Sequence, residues 1–324
     1  MGQSGRAAAR RASVRWIVAG LAVLITAGSA EGFGTINSTK QSAEHERITR
    51  RAFACDGRVT RTRRVLTPRS GAARGRGSDN SCFEPATLDL LAGKTGDFGA
   101  IGYPDGSWNF FHAEAHCDNG DQGGLTVCRD WMRSHLDEAV ADADGLVDAQ
   151  GSAIASETVL SCIWAFNRKG KAKCNVLQDM GFVLHAAQDF YAHSNWTDSA
   201  RDPDILGLGN SGPSPYISLR SDDPLPAELI SGCYSFWGAC DASRPNHDQL
   251  NKDLGSIPLS GPIGAGTTPR GMHNHDFQSA VQAAIDDSVD KWALLRERLL
   301  ATYGPVRGTP MVCALSHDDP AGTC

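Results

Sequence analysis

The spacing of apolar residues along the chain predicts a mainly helical protein. The strongest pattern covers residues 275–302, where one helical face carries Phe277, Val281, Ala284, Ile285, Trp292, Leu295 and Leu299. Gly304-Pro305 follows as a helix stop signal. Further helices are predicted over residues 42–54, 85–91, 128–147, 156–166 and 177–192. The sequence contains no alternating strand pattern and no internal repeat.

The segments between these helices have the composition of loops. Residues 93–121 are dense in Gly, Asp, His and Asn, and residues 202–238 are rich in Pro, Gly and Ser. Residues 58–80 are rich in Arg and predict an exposed loop, which either is solvated or contacts an anionic surface. The fold class expected is therefore all-α, a helical bundle with long loops, in which residues 31–324 form a single domain.

The first thirty residues have the layout of a secretory signal peptide. Four arginines precede a short apolar run that ends in small residues, Ala27 to Ala30. An uncleaved anchor is the alternative, although the apolar run is shorter than the ~20 residues that span a bilayer. Cleavage after Ala30 would shift the formal net charge from −6 to about −10. We therefore expect a secreted protein and disfavour a general nucleic-acid binder.

An even number of cysteines behind a signal peptide predicts disulfide bonds. The chain has 10 cysteines and no CxxC pair. Pairing each cysteine with its neighbour in the sequence gives 55–82, 117–128, 162–174, 233–240 and 313–324 as the expected set. We accordingly expect a disulfide-stabilised protein from an oxidising compartment.

Candidate chemistry is concentrated in the segment from Leu184 to Trp196. His185, Asp189 and His193 are spaced by four residues, so a helix places them on one face. Because eight residues rise about 12 Å, the two histidines cannot easily bind one ion. The spacing therefore suggests a bridging Asp189 that serves two metal ions, each with its own histidine. The alternative for such a His/Asp pair is an ordinary hydrogen bond.

Other histidines could complete the metal shells. His45 lies in the first predicted helix, His116 lies in a polar loop near Asp118, and His275 begins the last helix. Each is a weak candidate alone, and each could equally be a surface residue. The sequence contains 10 histidines, most of them in four short segments, and this clustering favours metal binding.

The segment from His185 to Trp196 resembles the signature of the Het-C-like family. This family is related to zinc-dependent phospholipase C and to the single-strand-specific zinc nucleases. The matched pattern is His-x-x-x-Asp-Phe-x-Ala-His-Ser-Asn-Trp. Softer matches are His-x-Asp-Asn at His116, His-Glu-x-Ile-Thr at His45, and Leu250-Asn251-Lys252-Asp253 followed by His275.

The resemblance implies a phospholipase C-like helical bundle that holds two or three zinc ions. The zinc ligands it implies are His45, His116, His185, Asp189, His193 and His275. The carboxylate that would accept a proton from the attacking water is either Asp105 or Asp118. Clustered zinc ions suit phosphoester hydrolysis because they activate water and neutralise phosphate charge.

Three functions remain open from the sequence. The first is a secreted phospholipase C-like hydrolase that contacts membranes peripherally. The second is a single-strand nuclease, which the acidic net charge makes the weaker candidate. The third is a metal-stabilised secreted protein without catalysis, because a fold does not fix a function. No obligate protein partner is inferred.

Overall fold

The computed structural model confirms an all-α architecture for the residues that it describes. These are residues 33–37, 41–55, 80–106, 112–118, 122–164, 170–199, 205–234, 240 and 244–324. Within these ranges no strand is formed, and the only extended pairings are isolated bridges such as the one between Ser194 and Ser231. The predicted signal peptide, residues 1–30, lies outside the described residues, as does nearly all of the arginine-rich segment 58–80.

The described part of the chain contains nine α-helices and three short 3-10 helices, joined by loops. The α-helices are α1 (Glu44–Phe53), α2 (Pro85–Ala92), α3 (Tyr103–Gly106), α4 (Gln122–Asp142), α5 (Ala172–His193), α6 (His247–Leu250), α7 (Pro269–Met272), α8 (Asp276–Ser316) and α9 (Pro320–Thr323). The 3-10 helices are Ala113–His116, Ala143–Leu146 and His273–His275. Predicted helices at 42–54, 85–91, 128–147, 177–192 and 275–302 are therefore confirmed, with shifted ends.

Helix α5 is the centre of the bundle. It is buried on all sides along nearly its whole length, because other helices pack on several of its faces. Helices α4 and α8 pack along it, and α1 packs on α8. The buried apolar side chains of these helices form one connected core. Consequently the polar residues of α5 lie inside the protein.

Two helix predictions need correction. Within the predicted helix 156–166, the described residues 156–164 form a turn and irregular backbone rather than a helix, and Cys162 is bonded there to Cys174 at the start of α5. The predicted stop at Gly304-Pro305 is a break, since Gly304 has a φ of 67°. Helical structure then resumes and continues to Ser316. A proline is tolerated in the first turn of a helix, so Pro305 can begin this second segment.

All five expected disulfides are present. The bonds join Cys55–Cys82, Cys117–Cys128, Cys162–Cys174, Cys233–Cys240 and Cys313–Cys324. Their Cα–Cα distances of 5.1 to 5.8 Å lie in the usual range. Such a set is typical of proteins from oxidising compartments. In the part of the chain that is described, no helix combines the length and apolarity needed to cross a membrane.

Candidate metal centre

Helix α5 carries the polar residues of the site into the core. His185 and Asp189 have no exposed surface, and His193 is 1% exposed. The helix comes very close to residues 100–101, because a Cβ on Gly181 would lie 2.3 Å from the carbonyl oxygen of Ala100. Glycine at 181 therefore allows the backbone at Ile101 to contact the face of α5 that carries His185.

One cluster, called centre A here, consists of His45, Asp105, His116, His185 and Asp189. Its members come from α1, α3, the 3-10 helix Ala113–His116 and α5. Asp189 Oδ1 lies 3.1 Å from His45 Nε2, and Asp189 Oδ2 lies 3.2 Å from His185 Nε2 and 3.1 Å from His116 Nδ1. Asp105 Oδ1 lies 3.5 Å from His185 Nε2. The five side chains thus direct their polar atoms at one small volume.

Hydrogen bonds outside the cluster fix two of its imidazoles. His185 Nδ1 donates to the carbonyl of Ile101 at 2.8 Å, so its Nε2 faces Asp189. His45 Nδ1 lies 2.8 Å from Gln188 Oε1. The Gln188 amide nitrogen donates to the hydroxyls of Thr49 and Ser288, which identifies Oε1 as the acceptor for His45. Both rings therefore turn Nε2 into centre A.

The carboxylates of centre A are also held from outside. Asp189 Oδ1 accepts the backbone N–H of Phe33 at 2.9 Å. Asp105 Oδ2 accepts the hydroxyl of Thr35. These contacts leave Asp105 Oδ1 and both oxygens of Asp189 directed at the histidines, and they bring the segment 33–37 against the cluster.

A second cluster, called centre B here, consists of Asp118, His193, His247 and Asp253. His193 Nε2 lies 3.1 Å from Asp253 Oδ1, and His247 Nε2 lies 3.2 Å from Asp253 Oδ2. His247 Nδ1 lies 2.7 Å from Asp118 Oδ2. The cluster therefore joins the end of α5 to α6 and to the turn that follows α6.

His116 connects the two centres. Its side chain belongs to centre A, while its backbone carbonyl accepts the Nδ1 hydrogen of His193 at 2.9 Å. This bond turns His193 Nε2 towards Asp253. The disulfide between Cys117 and Cys128 anchors the intervening turn to α4, so His116 and Asp118 are held on adjacent sides of one loop.

Burial and charge act in opposite directions on the imidazoles of centre A. Burial disfavours the imidazolium of His45, but the charge of Asp189 and the hydrogen bond to it outweigh this effect and raise the pKa. The pKa of His116 is raised for the same reasons. Burial and the neighbouring His45 lower the pKa of His185. Although burial opposes ionisation of Asp189, the surrounding histidines hold its pKa well below 3.8.

Both histidines of centre B have raised pKa values, unlike His185 of centre A. Burial would lower the pKa of His193, but Asp253 and Asp118 outweigh it and raise the value to about 9. Burial also disfavours the imidazolium of His247, yet Asp118 and Asp253 hold its pKa well above 6.5. The histidines in turn lower the pKa of Asp253 against the effect of its burial. A cation bound here would have to displace protons.

The residues of both centres fit a metal ion. In centre A, one ligand atom from each of His45, His185 and Asp189 lies within 4.8 Å of the others, as do those of Asp105, His116 and His185. Asp118, His193 and His247 meet the same condition in centre B. Asp105 Oδ1 and Asp118 Oδ1 are buried without a hydrogen-bond partner in the described structure. Buried carboxylate oxygens normally have partners, and a cation would satisfy both.

The structure brings together all but one of the site residues that the sequence suggested. His45, His116, His185, Asp189 and Asp105 lie in centre A, and His193 and Asp118 lie in centre B. His275 is the exception: it is exposed, at the end of the 3-10 helix that precedes α8, and it belongs to neither centre. Its φ of 68° places it in the left-handed turn into α8 rather than within the bundle.

Sequence reasoning missed His247 and Asp253. The signal was present, because Asp253 ends the matched segment Leu250-Asn251-Lys252-Asp253. The histidine that joins it precedes this segment, whereas the resemblance indicated one that follows it. Asn246 and Gln249 form a capping box that marks the start of α6, but it does not distinguish His247 as a ligand.

The suggested bridging role of Asp189 is corrected in one respect. Asp189 does lie between two groups of ligands, but these are His45 on one side and His116 with His185 on the other. His193 pairs with Asp253 instead. The reason is the rise of α5, which carries His193 beyond Asp189 into centre B.

Two polar residues close in sequence to the ligands, Glu46 and Asn195, lie outside both centres. Glu46 binds Arg50 and the backbone of residues 95–96, and the amide of Asn195 binds backbone groups of residues 206, 228 and 230. Tyr191 and Trp196 belong to the core.

Two further groups of potential ligands occur in the described residues. His135, Glu138 and Asp179 lie together where α4 meets α5, with His135 Nδ1 2.9 Å from Asp179 Oδ1. Cys313, His317 and Cys324 also lie close together, but both thiols are consumed by a disulfide. Each group includes an exposed residue, unlike centres A and B, and the second group has no carboxylate.

Comparisons with protein families, with curated proteins and with solved structures find no match to this chain.

Proposed function

We propose that this chain is a secreted, zinc-dependent phosphodiester hydrolase of phospholipase C type. Centre A would hold zinc through His45, His116, His185 and Asp189, and centre B would hold it through His193, His247, Asp118 and Asp253. Zinc accepts imidazole and carboxylate ligands together, which is the donor set of both centres. The resemblance of the segment 185–196 to the Het-C-like signature supports the same choice of metal.

The observation that carries the proposal is the adjacency of two His/carboxylate clusters. They share the residue His116, whose side chain faces one cluster and whose carbonyl orients His193 in the other. Phosphoester hydrolysis suits adjacent metal ions, because one can bind the attacking oxygen and another the leaving oxygen. A single closed structural site would need only four ligands.

Zinc, when bound, would supply Lewis acidity that lowers the pKa of water and neutralises charge on the phosphate. The protein groups have separate tasks. Gln188 and the Ile101 carbonyl hold the imidazoles of His45 and His185 in one tautomer. Asp105 Oδ1 and Asp118 Oδ1 lack hydrogen-bond partners in the described structure, so either can accept a proton from water if it is not itself a metal ligand.

Access favours the side of the site formed by residues 105 and 116. In centre A only Asp105 and His116 have any exposed side-chain surface, 8% and 11%, whereas His45, His185 and Asp189 have none. A phosphate would therefore approach from this side. Asp105 is accordingly the better placed of the two carboxylates to act on a water molecule beside the substrate.

The test is metal content followed by activity. The mature protein, purified without chelator, should contain two or three zinc ions per chain by plasma mass spectrometry. It should then release diacylglycerol from phosphatidylcholine vesicles. Release of acid-soluble nucleotides from single-stranded DNA instead would identify a nuclease. A folded, fully oxidised protein without bound metal would contradict the proposal.

The burial of the two centres favours one competing function, a metal-stabilised protein without catalysis. Centre B is almost closed, since none of its ligand side chains is more than 5% exposed. A structural zinc site is closed by protein ligands, whereas a catalytic one keeps a position for water. Zinc in full stoichiometry, with no hydrolysis of either substrate, would favour this structural role.

A further inference from the structure

Lys252 is buried beside centre B, where two hydrogen bonds and one ion pair hold its ammonium group. It has no exposed surface. Its Nζ donates to the carbonyls of Ser194 and Leu250, both at 2.9 Å, and lies 2.9 Å from Asp198 Oδ1. Two backbone carbonyls and one carboxylate therefore surround the ammonium group, which has three donors.

The acceptors belong to the segments that carry the ligands of centre B. Ser194 directly follows His193 at the end of α5, and Leu250 ends the helix that begins with His247. Asp253 is the next residue after Lys252. The backbone N–H of Lys252 also donates to the carbonyl of Ala192, so the lysine ties the turn 250–253 to α5 through both main chain and side chain.

Asp198 is held in turn by Arg270. The Arg270 Nε donates to Asp198 Oδ2 at 2.8 Å, and its guanidinium also binds the carbonyl of Ile205. Lys252, Asp198 and Arg270 therefore form a buried chain of charges that we call the ionic brace. The brace extends from α7 to the junction of α5 with the turn 250–253.

We propose that Lys252 is a positioning residue for the metal ligands of centre B. This inference rests on the proposed metal-binding function. The brace sets the distance between His193, on α5, and the pair His247 and Asp253, which are carried by a separate segment. A buried ion pair is weak evidence for stability, because apolar replacements of such pairs are often neutral. Its geometry, in contrast, restricts the position of each group strongly, because each hydrogen bond has a narrow range of distance and angle.

The test compares Lys252→Met with Lys173→Met. Methionine keeps the length of the side chain and removes the ammonium, and Asp198 retains its pairing with Arg270. Lys173 is a matched control: it is equally buried, lies in the first turn of α5, and donates to Thr87 Oγ1 and the His317 carbonyl far from centre B along the helix. His247→Ala identifies which bound ion belongs to centre B.

Cobalt(II) and zinc binding are followed by titration of the chelator-treated, disulfide-intact protein, with cobalt absorption as the signature of ligand geometry. Lys252→Met should lower the affinity for the ion of centre B, the one that His247→Ala removes, by about 10–100-fold. It should also alter the cobalt spectrum of this ion. The ions of centre A should bind as in the wild type. Lys173→Met should bind all ions as the wild type does.

Specific outcomes would overturn the inference. One is that Lys252→Met binds metal with the wild-type isotherm. The other is that Lys173→Met lowers the metal affinity as much as Lys252→Met does. If Lys252→Met does not fold, Asp198→Asn is tested instead. This variant replaces one carboxylate oxygen of the brace by an amide donor and should lower the affinity for the same ion. Unchanged binding by a folded Asp198→Asn would also overturn it. Absence of metal from the wild type would instead reject the proposed function, and the inference with it.

Discussion

Centres A and B use similar residues but are held in different ways. In centre A, the imidazoles of His45 and His185 donate outward to neutral oxygens, those of Gln188 and the Ile101 carbonyl. In centre B, His247 faces the carboxylates of Asp118 and Asp253 with both of its ring nitrogens. The nitrogens of His45 and His185 that face away from Asp189 thus meet neutral acceptors, whereas both nitrogens of His247 face carboxylates.

The difference predicts two kinds of behaviour. Centre A keeps its imidazoles oriented whatever their charge, because an N–H donates to a neutral acceptor in every protonation state. Centre B depends more strongly on protonation, because Asp118 and Asp253 raise the pKa values of both of its histidines, whereas in centre A the pKa of His185 is lowered. We therefore expect metal removal to disturb centre B more than centre A.

The largest effect should come from Asp189→Ala. Asp189 contacts three histidines of centre A, so the substitution should remove the metal of this centre and lower hydrolase activity by about 1000-fold, which corresponds to several kcal/mol of lost charge stabilisation. Metal content and initial rate are measured together. Asp179→Ala is the control, because Asp179 lies on the same helix and pairs with His135 outside both centres. An unchanged metal content would reject the assignment of Asp189.

The second effect is a pH dependence of the free energy of unfolding of the metal-free protein. The pKa of His193 is raised from 6.5 to about 9 in the folded state. Its contribution to stability is therefore fully present below about pH 6.5 and is lost as the pH rises through 9. The size is about 3 kcal/mol from this group. Urea unfolding at pH 6, 7.5 and 9 measures it.

Metal should reverse this trend, because zinc binds the neutral imidazole. The zinc-loaded protein should gain stability over the metal-free form as the pH rises. A metal-free protein whose free energy of unfolding is flat from pH 6 to 9 would contradict the charged character of centre B. The variant His193→Gln, which cannot take up the proton, should reduce the slope of the curve and leave the part that His247 contributes.

A smaller effect is expected from Gln188→Leu. The variant leaves all ligands of centre A in place but removes the acceptor that orients His45. Metal affinity of centre A should fall by about 10–100-fold, while centre B is unaffected. Zinc titration against a competing chelator measures both. Equal weakening of the two centres would show that the substitution disturbs the core generally.

The smallest effect should come from His275→Ala. The residue is exposed and lies outside both centres, so metal content and hydrolysis should match the wild type within about twofold, as for most surface substitutions. His247→Ala is the paired variant and should lose the metal of centre B. Loss of metal from His275→Ala would restore the assignment that the sequence first suggested.

Local sequence signals predicted much of the helical fold. The apolar face of residues 277–299 identified α8, and the cysteines paired with their nearest neighbours along the chain. The failure at residues 156–164 has a local cause as well, because a short apolar pattern does not distinguish a helix from a segment packed in turns. The missed start of α4 at Gln122 reflects Gly123 and Gly124, which have low helix propensity but are tolerated there.

The sequence by itself determined the residues that follow from helical periodicity. A step of four residues placed His185, Asp189 and His193 on one face of α5, because the α-helix has a fixed repeat. Only the tertiary structure decided how they are divided between two centres and which distant residues join them. His45, Asp105, His247 and Asp253 reach the site through the packing of separate segments, and no repeat along the chain encodes those distances.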